Sequence, residues 1–380
     1  MLTPEWQAVL SVCSVSEEPI SFPGLDRVNW IKVVDCLHRH EVEGFAYSKA
    51  NSTVLPAHLR EHLKRRYLDT VAHNLYLLHH LRYVAERFHA AHIPFVVLKG
   101  LAVAATVYED WGQREATDVD ILMPDVAIPY ATHLLREAGF EQEASGVIAS
   151  QGKGIQANAS GFARRDAEGR IFMIDLHWTP TPRYFQVRWV TDLLLLRRTE
   201  YQVGDIRMPV LSHEDRLLVP CAHGCKHTWE RLRFVVDIAK LLQREGHRLD
   251  WTYVWEQAAR SGITRMVALG IYLAYRLLHA PVASEHVRIF HRYPGLEKAF
   301  LLVCRRLFQE DEQRSSVWWQ ELAFHAYIRP FLHKALGSWY HMGLLAFQKR
   351  FSLKHPDPLP EDVVAPASDE RVLESQALPV

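Results

Sequence analysis

The residues best suited to chemistry in this chain are three aspartates, Asp118, Asp120 and Asp175. Asp118 and Asp120 stand two apart in ATDVDILMP (116–124), where polar and apolar residues alternate as in a half-buried strand. That spacing puts both carboxylates on one face, roughly 7 Å apart along the chain, and leaves Val119, Ile121 and Met123 for the buried face. Asp175 holds the matching position in MIDLHW, between Ile174 and Leu176. If the two strands pair, the three carboxylates converge. Like charges so close repel, so such a site requires a cation, and hard oxygen ligands select Mg²⁺ or Mn²⁺ over zinc. Two such ions roughly 4 Å apart clamp the attacking and leaving oxygens of a phosphoryl or nucleotidyl transfer.

Phosphate oxygens need cations and free amides. Gly100, at the end of FVVLKG (95–100), allows close backbone approach at a strand-to-helix turn, and the following helix offers unpaired N–H groups. Lys99 and Arg114 are the nearby cations, Arg114 with a bidentate fork. The segment from Cys221 to His227 places His223, Lys226 and His227 close together. It lacks the C-x-x-C spacing of structural zinc sites, so it reads as a kinked polar helix facing the cleft, interrupted by Pro220 and Gly224. Asp237 is expected to pair with Arg233 one turn away. His177 shares a face with Asp175 and reads first as a satisfied strand histidine. The histidines at 73, 79, 80, 89 and 92 spread around a helix and define no site.

Positioning these groups requires both strands and helices. Residues 1–92 read as helical, with Leu59, Leu63, Tyr67, Val71, Leu75, Leu78 and Leu81 as the apolar stripe of a helix from Ala57 to His92. Residues 93–211 form a core of strands at 95–100, 116–124 and 170–178, with helices at 101–108 and 128–138 and a loop over 146–161. Residues 212–352 are helical again, with Gly246 closing the helix after Trp229, and residues 353–380 are rich in proline and acid and expected to be disordered. The fold class is α+β: a mixed sheet core flanked by helical regions on both sides.

Composition narrows the partners. The chain has 380 residues, 48% hydrophobic and 23% charged, with 44 basic against 44 acidic groups. That balance disfavours a dedicated nucleic-acid binder. Five scattered cysteines suit a reducing compartment. The N-terminus lacks a basic segment leading into an apolar one, and MVALGIYLAYRLL is too short for a bilayer, so a cytoplasmic protein without a membrane partner is expected.

The runs LKGLA (98–102), TDVDIL (117–122) and DLHW (175–178), with Tyr108 and Arg114 between, resemble the nucleotidyltransferase superfamily. More narrowly they resemble a poorly characterised bacterial family that carries Lys-Gly where others carry Gly-Ser, and CAHGCKHTWERLRFVVDIAKLL (221–242) is similar to that family's helical motif. The resemblance covers roughly residues 70–245. It implies that Asp118 and Asp120 are the metal-binding pair, and that Asp175 is the third carboxylate and the base toward the acceptor. It further implies an NTP, most simply ATP, as co-substrate, with its NMP passed to a hydroxyl or phosphate on a small molecule or peptide; tRNA remains open. Leu101 stands where many members carry serine, so Lys99 or Arg114 must supply the missing phosphate contact. Two other readings are a non-catalytic nucleotide-binding or regulatory protein that retains the fold, and a phosphotransferase using the same metal site.

Overall fold

The computed structural model describes residues 2–16, 27–49, 56–143, 158–309 and 318–329. Helices α1 (Pro4–Cys13), α2 (Trp30–Arg39) and α3 (Glu43–Ser48) precede the long α4 (Ala57–Ala90). Then come β1 (Val96–Val97), α5 (Leu101–Val107), β2 (Val119–Leu122), α6 (Ile128–Glu137), β3 (Glu141–Gln142), β4 (Ala159–Arg165) and β5 (Ile171–His177). Next are α7 (Thr191–Leu196), β6 (Thr199–Val203), β7 (Ile206–Val210), α8 (Asp215–Lys226) and α9 (Leu232–Glu245). Helices α10 (Trp251–Ser261), α11 (Thr264–Leu278), α12 (Ser284–His291), α13 (Leu296–Phe308) and α14 (Trp318–Ile328) complete the described part. No helix among the described residues is long and apolar enough to cross a membrane.

The seven strands form one mixed sheet in the order β3-β4-β5-β2-β1-β7-β6, so the fold is α+β as the sequence suggests. β2 and β5 run parallel, and β1 is antiparallel to β2. Four strands escape sequence reading. Of the loop expected over 146–161, Ala159, Ser160 and Gly161 lie in β4, and 146–157 falls outside the described residues. The hairpin β6–β7 was also unmarked. Residues 199–203 and 206–210 do alternate, with Tyr201, Val203, Ile206, Met208 and Val210 turned to the core.

One core joins the sheet to α4, α5 and α6. A second joins α1–α3 to the helices from α8 onward, with Val15 N–H donating to the Leu278 carbonyl at 3.0 Å. The buried stripe of α4 differs from the expected one. Leu75 is 45% exposed, while Thr70, Asn74 and Leu77 turn inward. A repeat of four residues drifts about 40° per step around a helix of 3.6 residues per turn, so a strict i, i+4 series leaves the core after three steps.

Helix α8 corrects another expectation. It continues through Pro220 and Gly224 rather than breaking at them. At Gly224 the reason is packing: a Cβ there would lie 2.8 Å from the Trp229 ring. Gly246 does follow α9, but with right-handed dihedrals that lead into a short 3-10 turn. The residues expected as a disordered tail, 353–380, lie outside the described part.

Candidate active site

Pairing of β2 with β5 brings Asp120 directly opposite Asp175. Val119, Ile121 and Met123 are fully buried on the other side, as alternation requires. Asp120 is 1% exposed. Its Oδ1 accepts from Lys99 Nζ at 2.8 Å and from His177 Nε2 at 2.8 Å. Asn158 Nδ2 donates to His177 Nδ1 at 3.1 Å, which leaves the imidazole proton on Nε2 for Asp120. His177 is thus the satisfied strand histidine the sequence suggests. Asp120 Oδ2, in contrast, is buried and has no partner among the described residues.

The electrostatics follow from burial and spacing. Burial alone would raise the Asp120 pKa, but Lys99 and His177 more than offset it and hold the carboxyl far below the usual range. Burial lowers the Lys99 ammonium, and the charges of Asp120 and Asp118 reverse that, leaving it above an ordinary lysine. Asp118 and Asp175 are both raised, first by burial and then by the charge on Asp120. The group therefore carries more negative charge than its own cations neutralise.

That arrangement fits a hard divalent cation. Ligand-type atoms of Asp120, Asp175 and His177 lie within 4.8 Å of one another, and, with His177 given to Asp120 Oδ1, the carboxylate oxygens, Asp120 Oδ2 among them, are the ones left for an ion. Asp118 is not part of that tight group; it lines the adjoining cavity and accepts from Thr117 Oγ1 at 3.1 Å. Gly161 sits opposite Asp175 on β4, and a Cβ there would come within 3.1 Å of Asp175 Oδ1. Its bare backbone leaves space for the carboxylate.

A cavity of about 290 Å³ opens beside the carboxylates. Lys99, Gly100, Arg114, Asp118 and Asp120 line it, together with His223, His227 and Phe234. Gly100 has φ +56° and ψ −105°, a backbone region that a side chain strongly disfavours, so the turn before α5 requires glycine. Leu101 is fully buried in the sheet core. Lys226 does not line this cavity; burial, followed by the charge of Lys99, lowers its pKa to about 8.

Arg114 departs from expectation. Its fork grips buried Asp237, with Nη2–Oδ2 at 3.1 Å and Nε–Oδ1 at 3.4 Å, and its Nη1 donates to the Glu115 carbonyl at 2.8 Å. Tyr108 Oη donates to Asp237 Oδ1 at 2.7 Å. Asp237 therefore pairs with Arg114 rather than Arg233, whose guanidinium instead meets Glu41. Arg114 ties α9 to the loop that precedes β2. Asn74 secures the same loop from α4: it donates to the carbonyls of Trp111 (2.7 Å) and Arg114 (2.8 Å) and accepts from Ala116 N–H (3.0 Å). A polar residue on the apolar side of a long helix was the signal for Asn74.

Cys221 and Cys225 face the core. The Trp229 indole donates to Cys225 Sγ at 3.3 Å, and Cys221 Sγ packs beside Gly270. His223 and His227 turn to the cavity, so the four side chains do not converge on one point.

A mixed sheet that sets paired aspartates beside a lysine–glycine turn is the framework of a nucleotidyltransferase-like protein. Residues 26–279 match the family described as uncharacterised nucleotidyltransferase, and the chain belongs to that family. Among solved structures the chain is similar to an antigenic nucleotidyltransferase-like protein from Paracoccidioides brasiliensis. The two share 14% identity with a TM-score of 0.35, over 59% of this chain and 92% of that one. No curated protein matches the chain.

Proposed function

We propose that this protein is a metal-dependent nucleotidyltransferase that moves an NMP from an NTP, most simply ATP, to a hydroxyl or phosphate on a small-molecule or peptide acceptor. The observation that carries the reading is Asp120: a fully buried carboxylate, held ionised by Lys99 and His177, with one oxygen unpartnered and Asp175 directly across the strand pair. Asp118, Asp120 and Asp175 would hold Mg²⁺ or Mn²⁺, which when bound neutralises charge on the triphosphate and on the entering oxygen.

The chain's own groups have distinct tasks. Lys99, 26% exposed at the cavity, meets triphosphate oxygens while remaining paired with Asp120. Gly100 lets those oxygens approach the backbone. Asp175 accepts the proton of the acceptor hydroxyl. The acceptor oxygen bonds to the α-phosphorus, the bond from that phosphorus to the bridging oxygen breaks, and pyrophosphate leaves. Arg114 supports this arrangement from Asp237 and does not grip phosphate with its fork.

The test is product identity. Purified protein with Mg²⁺, ATP and a fractionated metabolite extract should release pyrophosphate and transfer α-labelled, not γ-labelled, phosphate. Asp118→Asn and Asp120→Asn should each reduce release by about a thousandfold or more with unchanged circular dichroism. Release of ADP would identify a phosphotransferase. Undiminished turnover in either variant would overturn the metal assignment.

A further inference from the structure

Three rings line the cavity beside the carboxylates. His223 and His227 lie one turn apart on α8, with ring centroids at 4.6 Å. Phe234, in the first turn of α9, lies 5.8 Å from His227 at 24° and 5.5 Å from His223 at 79°. All three line the cavity that Lys99, Asp118 and Asp120 also line.

The geometry points to this cluster as the platform on which the nucleobase of the NTP stacks, an inference that rests on the nucleotidyltransferase reading and adds the base subsite to it. The phosphate end of a nucleotide is drawn to Lys99 and the metal-binding carboxylates, which leaves the base the part of the cavity that the rings line. His227 and Phe234 present rings within 24° of parallel there, with His223 tilted against both. A planar heterocycle stacks on such rings regardless of its sequence of ring atoms, because every base presents a π face.

The platform is also held in place. The turn between α8 and α9 puts Thr228 and Trp229 in left-handed conformations, both at φ +53°, which β-branched and bulky residues avoid. Trp229 secures that turn: its side chain is fully buried, its N–H bonds to the Gly224 carbonyl at 2.8 Å, and its indole bonds to Cys225. Phe234 is thereby returned over the histidines of the preceding helix. Among the described residues, nothing hydrogen-bonds the ring nitrogens of His223, so they are available to the edge of a base. Burial, with help from Lys99 and Lys226, keeps both imidazoles neutral, and each retains an acceptor nitrogen.

Calorimetric titration with a non-hydrolysable ATP analogue and with inorganic triphosphate, both with Mg²⁺, separates the base from the phosphates. Phe234→Ala and His227→Ala should weaken the analogue by about five- to a hundredfold, the loss expected for one stacking ring, and leave inorganic triphosphate unchanged. Phe234→Tyr should restore the analogue. Equal weakening of both ligands, or no change in either, overturns the platform. Wild-type protein that binds triphosphate as tightly as the analogue also overturns it while leaving nucleotide transfer intact. Binding of neither ligand overturns both readings.

Discussion

Two buried aspartates face the same cavity and are treated differently. Asp237 is saturated: Tyr108 and Arg114 supply three donors to its two oxygens. Asp120 receives two donors on one oxygen and none on the other. Burial of a polar oxygen without a partner is costly, so it persists where something outside the chain can satisfy it. The saturated aspartate cross-links α9 to the loop before β2; the unsaturated one has an oxygen to offer a cation. Burial and an adjacent cation are common to both, and the count of donors differs.

The largest expected effect tests the saturated pair. Arg114→Ala leaves Asp237 buried with Tyr108 alone, and should lower stability by about 3–5 kcal/mol in urea unfolding, with no recovery on adding Mg²⁺. A smaller loss than about 1 kcal/mol would mean that water replaces the guanidinium, and the contrast with Asp120 would fail.

Lys99→Ala probes the other member. It also strands a buried carboxylate, but one that a divalent ion can neutralise. Its unfolding free energy should therefore rise with Mg²⁺, by an increment that approaches about 2.7 kcal/mol at a hundred times the dissociation constant, while its affinity for inorganic triphosphate falls about ten- to a hundredfold. A Lys99→Ala protein indifferent to Mg²⁺ would place Asp120 beside Asp237 as a purely structural group.

The smallest effect concerns the ring cluster. His227 has its pKa lowered from 6.5 to about 3, by burial first and then by Lys226. Between those values the unfolded chain binds a proton that the folded chain does not, so stability is complete above pH 6.5 and falls as pH drops toward 3. His227→Gln should make that acid limb shallower in thermal melts from pH 7 to 4. Some slope remains, since burial lowers His223 and His325 in the same way. An unchanged limb would show that His227 meets water in the folded protein.

Local pattern determined much of this protein. Alternation in DVDIL and IFMIDLHW set which side chains share a face, and the same residues sit in β2 and β5 or directly at their ends. The glycine turn at 100, the helix after it and the long helix from Ala57 were likewise legible, because each depends on residues a few positions apart. The tertiary structure alone decided the partners. Arg114 and Asp237 are 123 residues apart, and Arg114 looked like a phosphate ligand until α9 brought a carboxylate to it. Asn74 reached the loop before β2 and Phe234 the cavity in the same way, neither having been singled out along the chain. Pro220 and Gly224 read as breaks, yet burial of Trp229 against Gly224 lets α8 run through. Spacing along the chain encodes direction and face; which distant group satisfies a charge depends on how the whole fold closes.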